Sequence, residues 1–147
     1  KARTPMNQWP SHKGHDLAGV EPLNTLCHRL RVPKDYKDLA ILATKYHILC
    51  HQAKELKATT LLTLFENTDV FRRPERFKEL LLVCEADIRG RTGYEDVKYE
   101  QGEYLKNIIT ALEALDLKSI INKTINGAEI KEKIRKTRLA CIKLTRS

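Results

Sequence analysis

Residues 12 to 19 read HKGHDLAG, which sets two histidines three apart and follows the second with an aspartate. An imidazole beside a carboxylate is a ligand pair for a divalent metal, which makes His15-Asp16 a candidate doublet. His47 and His51, in HILCH, stand at i and i+4, so both imidazoles leave one face of a helix. Two ring nitrogens at that spacing reach a common ion, although many such pairs are only neighbours. Cys50 is adjacent, but no cysteine spacing completes a zinc site. His28, alone in CHRLR, reads as a surface or packing residue. A hard-metal phosphoester site also needs a carboxylate. Asp87 in CEADIRGRTG is the candidate, and Arg89 and Arg91 follow it with guanidinium forks that match phosphate oxygens. The plainer alternative is that Glu85 and Asp87 neutralise those arginines in a structural ion network.

The elements that must position these groups read as helices. Leu17, Val20, Leu23, Cys27 and Leu30 recur at three- and four-residue steps, Pro22 is tolerable early in that helix, and Pro33 ends it. A second helix runs from about Asp35 to Cys50 with Leu39, Leu42, Tyr46 and Leu49 on one face. A shorter one holds Leu61, Leu62, Leu64 and Phe65. Pro74 suits a first helical position and opens a helix with Phe77, Leu80, Leu81 and Cys84. GRTGYEDVKYEQG, residues 90 to 102, carries three glycines and loses the apolar period, so it reads as a loop. Tyr104, Leu105, Ile108, Ile109, Leu112 and Leu115 mark the next helix. Asn126 followed by Glu129 resembles a capping-box start, with Ile130, Ile134 and Cys141 as the apolar stripe of a basic last helix. The fold class is all-α, a helical bundle of about six to eight helices.

With 147 residues and 41% hydrophobic composition the chain is long and apolar enough for a real core. There is no membrane-spanning apolar run and no signal-peptide pattern. Cys27, Cys50, Cys84 and Cys141 are scattered through apolar runs, where a thiol behaves as a small hydrophobe, which points to the cytoplasm rather than a disulfide framework. The net charge of +8 is concentrated: residues 118 to 147 hold nine Lys and Arg against Glu129 and Glu132, so +7 of it lies there. Such a segment suggests a polyanionic partner, nucleic acid first, unless it is merely a solvated basic face.

The residues also carry a resemblance. WPSHKGHDLAGVEPLNTLCHRLRVPKDYKDLA, the H-x-x-x-H helix, RRPERFKELLLVCEADIRGRTGYED, YEQGEYL and NGAEIKEKIRKTRLA together resemble the bacterial tRNA CCA-adding enzymes. The version they resemble is the multifunctional one that carries an HD phosphohydrolase domain. That family places first a nucleotidyltransferase head with a D-x-D metal pair, which uses ATP and CTP. No D-x-D occurs in this sequence. The resemblance lines Lys1 up with the lysine of an HDLGK-like stretch, so the HD doublet and an earlier lone histidine would precede residue 1. His15-Asp16 is then not the doublet. His15 instead matches the third histidine of the HD pattern, His47 the next metal-side histidine, and Asp87 the closing aspartate. His12 and His51 become second-rank positions, toward a second metal or phosphate. Position 48 is Ile where some relatives have Asp.

By the same resemblance the intact enzyme would be a 2′,3′-cyclic phosphodiesterase and 2′-nucleotidase with Mg2+ and a phosphatase with Ni2+. Residues 1–89 would be the C-terminal portion of the HD domain and residues 90–147 a basic helical tail. Arg72, Arg73, Arg76, Arg89, Arg91, Lys131, Arg135 and Arg138 would hold phosphates of tRNA, at its 3′ end and along its backbone. Half an HD site has too few ligands to hold magnesium firmly, whereas nickel or zinc suits its imidazoles. The chain alone is therefore expected to be inactive, and a homo-oligomer stays open. Two alternatives stand beside this reading. One is a self-contained small metallophosphohydrolase using His12, His15, His47 and Asp87. The other is a basic helical nucleic-acid-binding adaptor without catalysis, indifferent to substitution of His15 and His47. The charge distribution predicts tRNA binding that weakens steeply with salt, because phosphate contacts release counterions. A filter-binding titration with a flat salt response, or with no complex at all, counts against it.

Overall fold

The computed structural model describes residues 4–9, 11–122 and 126–146. Lys1 and Lys123, named or counted above, lie outside the described residues. Among those described, the regular structure is entirely helical. A 3-10 turn at Met6–Gln8 precedes α1 (His15–Ala18), α2 (Val20–Arg29), α3 (Lys34–His51), α4 (Ala58–Asn67) and α5 (Pro74–Arg89). Then come α6 (Glu100–Glu113), α7 (Lys118–Asn122) and α8 (Gly127–Thr145). Six of the α-helices have ten residues or more, in keeping with the expected bundle.

Local chemistry explains most boundaries. Pro33 is the N-cap of α3 and Pro74 the first residue of α5, both positions where a missing N–H costs nothing. The Asn126 side chain accepts a hydrogen bond from the Ala128 amide at 2.9 Å and so caps α8. Asp116 does the same for the short α7 through the amides of Lys118 and Ser119, at 3.1 and 3.4 Å. The segment expected to be one helix from Leu17 to Leu30 is two, split at Gly19. A Cβ on Gly19 would lie 2.9 Å from Thr44 Cγ2, so α1 meets α3 at a distance only a hydrogen tolerates. The expected loop over 90 to 102 is shorter than its glycines imply, because α6 begins at Glu100 and takes in Gly102.

α3 is the hub and packs against α1, α2, α5 and α6, while α8 closes over α4, α6 and α7. The main core joins Leu61, Leu62, Leu64 and Phe65 of α4 to Phe77, Leu80 and Leu81 of α5 and Leu105, Ile108 and Leu112 of α6. Ile142 seals it from α8, one position beyond the expected Cys141, which is only partly buried. Phe65 and Phe77 meet edge to face, with ring centroids 5.7 Å apart. All four cysteines are unbridged. Cys50 and Cys84, both 0% exposed, are hydrogen-bonded across the α3–α5 seam, and that bond together with burial pushes the Cys50 thiol far up.

Phe65→Ala should cost about 3–5 kcal/mol of stability in urea denaturation, through lost burial and the cavity left behind. Leu144→Ala, at a side chain 76% exposed, should stay within about 0.5 kcal/mol of wild type.

Candidate functional site

Three of the singled-out histidines form a file along α1 and α3. The ring centroids of His15 and His47 are 5.4 Å apart, and those of His47 and His51 are 5.9 Å apart. The His15 Nδ1–H donates to the His12 carbonyl at 2.8 Å. The His47 Nδ1–H donates to the Ala43 carbonyl at 2.9 Å, one helical turn back. Both rings are thereby set with Nε2 as the lone-pair nitrogen, the backbone support that metal-binding imidazoles characteristically have. The His12 ring lies 5.7 Å from that of Trp9, and it bonds Thr4 Oγ1 through Nδ1.

His51 is differently engaged. Its Nε2–H donates to Asp87 Oδ2 at 3.0 Å, and its Nδ1 accepts from the Tyr99 hydroxyl at 3.2 Å. Asp87 thus reaches the file through His51, and the same Oδ2 takes Arg91 Nη2 at 3.0 Å. Among the described residues, no three His, Cys, Asp or Glu side chains converge closely enough to hold a metal ion by themselves. His15 and His47 fit such an ion in kind, as two imidazoles, and fall short in number.

Burial lowers the His51 pKa, outweighing the pull of Asp87 the other way. Burial would raise the carboxyl of Asp87, but the hydrogen bonds from His51 and Arg91 and the arginine's charge carry it below its ordinary value.

Tyr99 escaped the sequence reading because it sits in the stretch taken as loop. The signal was present in YEQG, where a tyrosine precedes a glycine by three residues at a helix start. A Cβ on Gly102 would stand 2.9 Å from Tyr99 Cδ1, so the glycine makes room for the ring. Lys54 Nζ and Glu100 Oε2, at 2.6 Å, tie the same start of α6 to the chain just beyond α3.

The arginines divide into several environments. Arg89 pairs with Glu85 at 2.9 Å within α5, and Arg91, just beyond its end, with Asp87 at 3.0 Å, as the ion-network alternative has it. Arg72 and Arg73 stand 4.0 and 3.7 Å from Asp69 and are well exposed. Arg76 Nε is buried with no hydrogen-bond partner among the described residues. Arg72, Lys131, Arg135 and Arg138 line one groove between the α4 end and α8, floored by Phe71, Ile130 and Ile134. There Arg135 holds Glu66 at 3.0 Å, and the Arg138 guanidinium lies 3.5 Å over the Phe71 ring. His28 is exposed, and no described helix is long and apolar enough to cross a membrane.

Fold and site first define a class: an all-helical bundle that presents a file of imidazoles along α1 and α3 and a cationic groove between the α4 end and α8. Comparison with known proteins narrows it. A multifunctional CCA protein of Xanthomonas axonopodis pv. citri is 45% identical over 147 residues, covering 100% of this chain and 36% of the relative. The multifunctional CCA proteins of Nitrosococcus oceani and Pseudoalteromonas atlantica are 43% and 42% identical, each covering 97% of the chain and 35% of their own length. No family model and no solved structure matches. The chain belongs to the multifunctional CCA protein family and spans about a third of the length of the relatives it matches.

Acid should destabilise the metal-free protein in two stages. The folded pKa of His51 lies below the ordinary 6.5, so the unfolded chain gains the proton first and stability falls as pH drops below that value. The folded pKa of Asp87 lies below the ordinary 3.8, so its contribution is present above that value and disappears as pH falls through the folded pKa. Urea midpoints with EDTA at pH 7.5 and 5.5 should differ less in His51→Gln than in wild type. An equal difference in both proteins refutes the assignment of the first stage.

Proposed function

We propose that the chain is the C-terminal region of a cytoplasmic tRNA CCA-adding and repairing nucleotidyltransferase, and that it supplies one side of an HD-type phosphohydrolase site. The observation that carries this reading is the file from His15 through His47 to His51, ending on Asp87. His15 and His47 would hold a divalent ion through Nε2, with the remaining protein ligands contributed from upstream of residue 1. Mg2+ or Ni2+ bound there would lower the pKa of a coordinated water and offset phosphate charge.

The residues of this chain have separable tasks in that scheme. The carbonyls of His12 and Ala43 orient the two imidazoles and select their tautomer. Asp87 orients His51 instead of standing free as a ligand. Arg72, Arg73, Lys131, Arg135 and Arg138 would hold tRNA backbone phosphates, contacts that position the substrate without reading its sequence. The activities expected of the whole protein are 2′,3′-cyclic phosphodiesterase, 2′-nucleotidase and phosphatase, with CCA addition residing in a head that uses ATP and CTP.

Calorimetric titration of the purified chain with Ni2+ should give binding that His47→Ala abolishes and His15→Ala weakens by at least about tenfold. The same chain should leave a 2′,3′-cyclic nucleotide intact with either Mg2+ or Ni2+. Turnover that disappears in His15→Ala would instead establish a self-contained phosphohydrolase. Nickel binding indifferent to both histidines would remove the metal site from this reading.

A further inference from the structure

We infer that Tyr99 is a positioning residue, and that it locks His51 as the Nε2–H tautomer so that the third imidazole of the file serves Asp87 and is withheld from metal. The inference deepens the proposed site by assigning its third histidine, but its core claim concerns the metal-free protein.

The argument begins with the two ends of one ring. A neutral imidazole has one donor and one acceptor nitrogen, and its partners select which is which. At Nε2 the partner is Asp87 Oδ2, 3.0 Å away, on a carboxyl held below its ordinary pKa and therefore ionised near neutrality. An ionised carboxylate only accepts, so the proton of His51 belongs on Nε2. Nδ1 must then accept, and the Tyr99 hydroxyl is the donor within reach at 3.2 Å. Burial raises the Tyr99 phenol, which keeps its proton on and the donor intact. His15 and His47 have the opposite arrangement, with Nδ1–H on a backbone carbonyl and Nε2 presented. One file therefore contains two imidazoles prepared as ligands and one whose two nitrogens are both committed.

The support behind Tyr99 is equally specific. Its ring is buried and edge-on to His51, with centroids 5.7 Å apart, and the hydroxyl also borders the Cys84 thiol. Gly102 leaves the space the ring occupies, and the Lys54–Glu100 pair fixes the start of α6 beside it. The outer end of the relay, Asp87 and Arg91, is about half exposed and open to a substrate phosphate. His51 would accordingly act through Asp87, steadying the carboxylate and arginine that face solvent.

Long-range 1H–15N spectra of the metal-free chain at pH 7.5 test this directly. His51 should show a protonated Nε2 and an unprotonated, hydrogen-bond-accepting Nδ1, whereas His15 and His47 should show the reverse pattern. Tyr99→Phe should abolish the single-tautomer pattern of His51 and leave those of His15 and His47 unchanged. Asp87→Asn, at an exposed position that spares the core, should disturb the same His51 signals. A wild-type His51 protonated on Nδ1, or a pattern indifferent to both substitutions, overturns the inference. Addition of Ni2+ should broaden His15 and His47 before His51. Broadening of His51 first also overturns it, and no broadening at all, with the tautomers as expected, refutes the metal site alone.

Discussion

α3 has neighbours around most of its circumference, and its rotation about its own axis fixes the site. Cys50 faces α5, where it is fully buried, and this places His47 and His51, one turn apart, about 60° and 100° round the helix from it, where His51 still reaches Asp87 of α5. A one-residue slip turns the helix by about 100°, which would bring His51 toward the seam in place of a small thiol. A buried imidazole without partners costs about 1–3 kcal/mol, so the register is defended energetically as well as sterically. The close approach at Gly19 then brings α1 near enough to α3 for His15 to join the file. Packing thus comes first and the chemistry inherits its geometry.

The same economy governs charge. Many acidic groups are used within a turn of their own helix, as in Glu129 with Lys133, Glu132 with Lys136 and Glu85 with Arg89. Exposed pairs of this kind add little stability, but they hold long side chains in defined places. On α8 this leaves Lys131 and Arg138 bordering a groove whose floor is apolar. Burial lowers the Arg138 pKa, a sign of a guanidinium imperfectly compensated by its surroundings, with Glu66 the carboxylate that pulls the other way. A surface of this composition attracts polyanions generally and discriminates among them weakly.

Helix positions were legible from the sequence because apolar residues at three- and four-residue steps admit one reading, and because Pro33, Pro74 and Asn126 mark where hydrogen-bond ladders start. Two glycines misled for the same reason. Gly19 and Gly102 serve close approaches to Thr44 and Tyr99, and contacts between residues distant in sequence leave no periodic trace. His15, His47 and Asp87 could be picked by residue type and resemblance. The Asp87–Arg91 pair follows from i,i+4 spacing, but that Asp87 answers to His51 depends on how α5 lies against α3, which no spacing encodes. Tyr99 was hidden because a segment rich in glycine and charge reads as loop until tertiary contacts extend the helix into it.

The paired thiols of Cys50 and Cys84 carry a consequence of a different sort. Alkylating and oxidising reagents attack thiolates, and this pair is sealed from solvent, with the Cys50 thiol held protonated. Modification must therefore wait for α3 and α5 to part, so its rate clocks the opening of that seam. Because the histidine that follows Cys50 belongs to the imidazole file, the clock keeps time for the site as well. Any ligand that braces the site would slow it, giving the molecule an internal reporter of occupancy that needs no engineered label.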